Sequence, residues 1–219
     1  MPDHPIEVEL KYTASPEALT ALARADRLGP AELGRTVVND ETDRYLDTAD
    51  GRLAAEAWAC RLRTRRVDGE ARTFISLKGP AAPAVDALHR RPELEGPATD
   101  APDPAAWPSS AARDLVDRLR AGAPLTEFLR LAQRRRERPV TLDDAPIGTL
   151  SLDEVTVLRD GQELGRFIAV ELEVVAAADY HRLTDLGRDL EALPGLHGDD
   201  LTKLQRAIAL AARRPVVPT

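Results

Sequence analysis

Five short stretches of this chain set charges at strand spacing, most of them alternating with apolar residues, and that pattern restricts the fold sharply. The first is Glu7-Val8-Glu9-Leu10-Lys11, near the N-terminus. Side chains of a β-strand alternate faces with a period of two. Glu7, Glu9 and Lys11 therefore share one face, and Val8 and Leu10 the other. The pattern returns in Arg61-Leu62-Arg63-Thr64-Arg65, Arg91-Pro92-Glu93-Leu94-Glu95, Arg134-Arg135-Arg136 and Glu171-Leu172-Glu173. One such strand is an ordinary half-solvated sheet. Five, each with its own sign pattern, point to a wall of carboxylates and guanidiniums gathered around something highly charged.

Eight strands are expected, at about 5–11, 34–46, 57–66, 71–79, 90–96, 128–138, 149–158 and 166–176. Four helices are expected between and after them. Ser15-Pro16-Glu17 starts the first with a capping serine, a first-turn proline and an early acid. Ser109 or Ser110 starts the second, Asp179 the third and Thr202 the fourth. The Ala-, Pro- and Asp-rich stretches at about 80–88 and 96–108 read as surface loops, because the strand pattern resumes after each.

The 219 residues suit a single domain over residues 1–212, with 213–219 as a frayed, disordered tail. Hydrophobic residues make up 43% of the chain, enough for a real core. Aromatic residues are only 4%, too few for a base-stacking surface. The net charge of −7 argues against a broad basic surface for nucleic acid or membrane, so cationic function must be local. Cys60 is the single cysteine, so no intrachain disulfide forms. No long apolar run exists and the start at Met1-Pro2 matches no secretory pattern. A soluble, cytoplasmic protein is expected, as a monomer or homodimer. The four histidines are scattered, His89 reads as a loop residue, and zinc chemistry has no support.

Phasing the strands sets Trp58, Cys60 and Leu62 against Arg61, Arg63 and Arg65, and Ile75 and Leu77 against Ser76 and Lys78. The apolar faces can pack on the four helices while the charged faces curl toward one another. An eight-stranded antiparallel barrel has just enough interior for side chains or one small ligand. Its inner charges would be Lys11, Arg61, Arg63, Lys78, Arg91, Arg134 and Arg136, with Lys203 reaching in from the last helix. Arg135 and Arg138 are expected at the surface. The inner acids would be Glu7, Glu9, Glu93, Glu95, Asp153, Glu171 and Glu173. The plainer interpretation is a set of cross-strand salt bridges on a solvated sheet. It weakens as the pairs accumulate, because Glu-x-Glu calls for a cation and Arg-x-Arg-x-Arg for an anion. Carboxylates take a hard divalent ion and guanidiniums take phosphate oxygens, so a metal-bound polyphosphate satisfies both.

These residues resemble the CYTH superfamily, the triphosphate tunnel metalloenzymes. Glu7, Glu9 and Lys11 match its N-terminal Glu-x-Glu-x-Lys strand. Tyr45-Leu46-Asp47-Thr48, Arg61-Leu62-Arg63, Leu77-Lys78, Arg91-Pro92-Glu93-Leu94-Glu95, Leu152-Asp153, Glu171-Leu172-Glu173 and Lys203-Leu204 follow in the family's order. The likeness spans about residues 5–210. Pro92 departs from the pattern and suits an edge or non-bonding strand position. The resemblance implies an α+β protein whose eight-stranded antiparallel barrel forms a tunnel, with flanking helices and metal-dependent action on a small anionic triphosphate.

The expected activity is hydrolysis of inorganic tripolyphosphate with Mg²⁺ or Mn²⁺. Lys11, Arg61, Arg63, Lys78, Arg91, Arg134, Arg136 and Lys203 would bind the phosphates. The metal ligands would come from Glu7, Glu9, Glu95, Asp153, Glu171 and Glu173. Lys11, Glu95, Asp153 and Glu171 are the candidate catalytic groups. A class IV-type adenylate cyclase, a nucleoside or thiamine triphosphatase, and a non-catalytic polyphosphate-binding module are the alternatives.

Overall fold

The alternating stretches do become strands, and the strands close on themselves. The computed structural model describes residues 4–67, 69–81, 87–174 and 180–213. In order these form β1 (Ile6–Ala14), α1 (Pro16–Arg24), β2 (Arg27–Leu28), β3 (Ala31–Leu33), β4 (Val37–Thr48), α2 (Arg52–Ala55), β5 (Ala59–Val67), β6 (Glu70–Lys78) and β7 (Leu88–Ala98). A 3₁₀ turn (Pro104–Ala106) follows, then α3 (Ala111–Arg120), β8 (Leu125–Leu142), β9 (Ala145–Arg159), β10 (Gln162–Val174), α4 (Tyr180–Glu191), β11 (Leu196–Gly198) and α5 (Lys203–Ala212). Eight strands pair in the order β8-β4-β5-β6-β7-β1-β10-β9, and β9 pairs back onto β8. Every pairing is antiparallel, so the expected eight-stranded ring is present. The short β2 and β3 extend from β8, and β11 adds to β1.

Local chemistry explains the element ends. Ser15 accepts a hydrogen bond from Ala18 N and Pro16 opens α1. Ser110 caps α3 through Arg113 N, and Thr202 with Gln205 forms a reciprocal capping box on α5. The β8–β9 and β9–β10 hairpins turn on Asp143-Asp144 and Asp160-Gly161. All four residues have positive φ, as a two-residue turn matched to strand twist requires. The short α2, β2, β3 and β11 escape sequence reading, having too few residues to show a period. Of the expected features, the helix start at Asp179, part of the 80–88 loop and residues 214–219 lie outside the described residues.

The outer faces carry the core. Val8, Leu10, Leu150, Leu152, Val170 and Leu172 pack with Leu19 and Leu22 of α1 and Leu183, Leu186 and Leu190 of α4. Cys60, Leu62, Ile75 and Leu77 pack with Leu115 and Val116 of α3 and Leu53 of α2. Each fully buried leucine here contributes about 1.5–3 kcal/mol, so Leu62→Ala costs about 2–5 kcal/mol. The fourth long helix departs from expectation. Ala207 and Ala211 of α5 pack with Tyr45, Leu129, Leu131, Val155 and Val157. Strand alternation puts Val155 and Val157 on the same face as Asp153, and Leu129 and Leu131 on the face of Arg135. α5 therefore covers an apolar end of the ring interior, while α1, α3 and α4 lie outside. No helix among the described residues is long and apolar enough to cross a membrane.

Candidate active site

The inner faces enclose a cavity of about 170 Å³ with charged walls. Its cations are Lys11, Arg61, Arg63, Arg65, Lys78, Arg91, Arg135 and Lys203. Its acids are Glu7, Glu93, Glu95, Glu137, Glu171 and Glu173, and Tyr45, Ala59, Thr202 and Leu204 complete the lining.

Register builds the ion pairs. Glu7 lies opposite Arg91 across β1 and β7, Lys78 opposite Glu93, Asp43 opposite Arg63, Arg135 opposite Asp153, and Lys11 opposite Glu171. Directly opposed side chains of opposite charge are the favourable cross-strand pair. Arg63 grips Asp43 with two parallel bonds, Nε to Oδ1 at 2.7 Å and Nη2 to Oδ2 at 2.8 Å. Arg61 Nη1 and Gln133 Nε2 reach the same carboxylate at 3.4 and 2.7 Å. Arg135 holds Asp153 in the same fork, both bonds at 2.8 Å, and Lys203 Nζ joins at 2.5 Å. Lys203 also bonds Glu171 at 2.7 Å. Glu7 receives Lys78 at 2.5 Å and Arg91 at 2.9 Å, while Glu9 receives Arg91 at 3.0 Å and Lys11 at 2.9 Å.

The charges behave accordingly. Burial alone would raise the Asp43 carboxyl, but Arg63 and Arg61 outweigh it and hold it well below the usual carboxylate range. Glu7 is likewise depressed against its burial, by Lys78 and Arg91. Burial lowers the Lys11 ammonium despite Glu9 and Glu171. Glu173 goes the other way. Partial burial, then the charges of Glu7, Glu9 and Glu93, push it up to about 7.

Of the site residues expected from sequence, Glu7, Lys11, Arg61, Arg63, Lys78, Arg91, Glu95, Glu171, Glu173 and Lys203 line the cavity. Glu95 sits at its rim, its side chain 61% exposed and 3.9 Å from Arg61. Glu9 is buried beneath Lys11 and Arg91. Asp153 is fully buried, with both oxygens taken by Arg135 and Lys203. Pro92 leaves Arg91 pointing inward, toward Glu7 and Glu9.

Two expected arginines do not join the site. Arg134 is exposed, and Arg136 pairs with Glu154 at 2.7 Å on the outer face. The residues expected at the surface are the buried ones. Arg135 faces the cavity, and Arg138 donates to the carbonyls of Leu22, Ala25, Leu33 and Gly34 beneath α1. The cause is phase. Leu129 and Leu131 make the face of Arg135 look outward until α5 is found covering it. His89 is a buried strand residue rather than a loop one, its ring Nε2 2.7 Å from Asp199 O, because β7 starts early enough to pair it with Glu9. Sequence reasoning also missed Asp43 and Gln133. Asp43 lies two residues before Tyr45 and so shares its face, but which way that face turns is set by pairing with β5 and β8.

The acids suit a hard cation in chemistry and placement. Glu9 and Glu173 face each other in register across β1 and β10, beside Glu7, and like charges so opposed are destabilising unless a cation intervenes. As the side chains stand, each of Glu7 and Glu9 is turned onto lysine or arginine. No group of three His, Cys, Asp or Glu among the described residues is arranged to hold a metal.

A family model described as the CYTH domain matches residues 5–208. No curated protein matches the chain. Among solved structures, the Hippeastrum protein HpAC1, described as an adenylyl cyclase candidate with a dominant triphosphatase activity, superposes with a TM-score of 0.65 at 20% identity, covering 93% of this chain and 95% of that one. The PH1819 protein of Pyrococcus horikoshii OT3 gives 0.56 at 21% identity, over 93% and 98%. The mimivirus capping enzyme triphosphatase gives 0.50 at 10% identity, over 82% and 85%. At these identities the likeness is one of fold.

Proposed function

The chain belongs to the CYTH domain family, and from that premise we propose that it hydrolyses a triphosphate, with inorganic tripolyphosphate as the substrate and Mg²⁺ or Mn²⁺ as the cofactor. One observation carries this reading: eight cations and six carboxylates converge on a single small cavity. Phosphoryl transfer asks the protein mainly for positioning and charge neutralisation. Arg61, Arg63, Lys78, Arg91, Arg135 and Lys203 would hold the phosphate oxygens. Asp43 and Asp153 would act from behind, aiming the guanidiniums by their bidentate bonds. Glu7, Glu9 and Glu173 would hold the metal, which when bound offsets charge on the phosphates. Glu171 and Glu95 face the cavity and are the candidates to orient the attacking water, which breaks the terminal phosphoanhydride to give phosphate and pyrophosphate. Lys11, between Glu9 and Glu171, would link the metal side to the water side.

Among the described residues, the lining has one aromatic ring, Tyr45, and no side-chain amide to read a base or thiazole. Tripolyphosphate should therefore show a higher kcat/KM than ATP or thiamine triphosphate. The test is phosphate release from all three with Mg²⁺ or Mn²⁺, repeated after chelation. Turnover that survives metal stripping would remove the cofactor from this reading. Cyclic AMP with pyrophosphate from ATP would replace the hydrolase by a cyclase.

A further inference from the structure

Glu41 lies on the inner face of β4, facing Arg65 of β5 and Gln133 of β8 in register. Its carboxylate is fully buried, yet neither oxygen accepts a hydrogen bond. A buried carboxylate in that condition is costly to keep. What offsets the cost is charge on both sides. Arg63 Nη1 lies 3.2 Å away, and Arg135 Nε lies 3.8 Å away. Both arginines line the cavity, with Glu41 packed behind them. Each already spends two nitrogens on its own aspartate. Glu41 meets Nη1 of Arg63, the nitrogen that Asp43 leaves over.

The two guanidiniums repel each other, and the Arg135 charge is felt at Arg63. Asp43 and Asp153 anchor them to different strands, one guanidinium each, whereas Glu41 lies within 4 Å of both. We propose that Glu41 is a positioning residue, a shared counter-charge that sets the spacing and aim of Arg63 and Arg135 without touching the substrate. This rests on the triphosphate reading given above.

Removing that charge should separate binding from turnover. A cavity wall with one negative charge fewer attracts an anion at least as well. Guanidiniums that drift apart fit the transition state less well, and only that fit accelerates the reaction.

The experiment compares Glu41→Gln and Glu41→Asp with the wild type in three measurements. These are phosphate release from tripolyphosphate with Mg²⁺, calorimetric titration of tripolyphosphate in chelator, and melting temperature. For Glu41→Gln, kcat should fall roughly tenfold or more, while affinity in chelator holds or tightens. Glu41→Asp keeps the charge but withdraws it, so it should recover part of the turnover. An unchanged kcat overturns the proposal. So does a loss of kcat and affinity together that tracks a lowered melting temperature, since that is the mark of a structural role. If the glutamine variant does not fold, the aspartate variant decides alone: kcat must fall with affinity retained, or the proposal fails. A wild type that neither binds nor cleaves tripolyphosphate overturns the hydrolase reading and this role with it. An active wild type beside an indifferent Glu41→Gln overturns the role of Glu41 only.

Discussion

The two walls of the cavity use the same residue types to opposite effect. On the wall of β4, β5, β8 and β9, acid faces base: Asp43 lies opposite Arg63 and Asp153 opposite Arg135, each pair locked by a two-bond fork. On the wall of β1 and β10, acid faces acid at Glu9 and Glu173. Glu173 makes none of the ion pairs found among the described residues. The first wall is complete as folded, with its guanidiniums already aimed. The second carries a charge imbalance that a cation from solution would relieve. In a site for a metal-bound anion, the half that grips the anion can be prebuilt, whereas the half that binds the metal must stay short of positive charge.

Asp43 gives that contrast its strongest test. Asp43→Asn keeps the shape but strips the charge from a carboxylate that serves Arg61, Arg63 and Gln133 at once. Breaking one side of a buried ion pair costs about 3–5 kcal/mol, so denaturant unfolding should show a loss of that order. Turnover should fall with it, because two cavity-facing guanidiniums lose their aim. The pH dependence has a defined sign. A carboxyl depressed in the folded state contributes stability above its unfolded value, and this is lost on acidification. The variant's stability should therefore depend less on acid than the wild type's. A variant as stable as the parent would mean that the forked wall is no more built than the other.

Glu173 should show the reverse slope, and a smaller one. Its folded value of about 7 lies above an ordinary carboxyl near 4.5, so the folded state binds the proton more tightly than the unfolded. In metal-free protein, stability from this group should fall as pH rises from about 4.5 to 7. Glu173 is exposed, so screening reduces the effect to about 1 kcal/mol or less. Glu173→Gln should flatten this slope and slightly stabilise the chelated protein above neutral pH, while weakening its affinity for Mg²⁺ or Mn²⁺. Thermal melts from pH 5 to 8, with and without metal, read both. A slope that Glu173→Gln leaves unchanged through this window would show that the β1–β10 wall is not short of positive charge.

Most of the ring was legible because period-two alternation is a local signal. Glu7, Val8, Glu9, Leu10 and Lys11 declare their faces within five residues, and β5, β6, β7 and β10 do likewise. What could not be read depended on partners far away in the chain. The alternation predicts that apolar residues face outward, which holds for Leu62, Ile75, Leu77 and Leu172. It fails for Leu129 and Leu131, because α5, from the end of the described chain, covers them inside the ring together with Val155 and Val157. Asp43 and Glu41 were invisible for a related reason. Their strand carries acids on both faces, so only pairing with β5 and β8 shows which ones look inward.

The smallest expected effect falls where sequence and structure part company. Arg134, Arg135 and Arg136 are adjacent and chemically identical, and strand alternation gives only the middle one to the cavity. Arg134 is exposed, and Arg136 pairs with a half-exposed Glu154, an arrangement worth about 0–1 kcal/mol. Arg134→Ala and Arg136→Ala should therefore leave kcat and KM for tripolyphosphate within about twofold of the parent, and stability within about 0.5 kcal/mol for Arg134. Arg135→Ala would strand Asp153 with Lys203 alone and remove a cation from the cavity wall, raising KM and lowering kcat together. Salt separates the cases further. The small residual effect of the outer arginines acts through bulk solvent and should vanish by about 0.5 M salt, whereas the loss at Arg135 should persist because the contact is buried. Arg134→Ala or Arg136→Ala matching Arg135→Ala in size and salt resistance would mean that β8 presents its other face to the cavity. The forked wall would then have to be redrawn around those two residues.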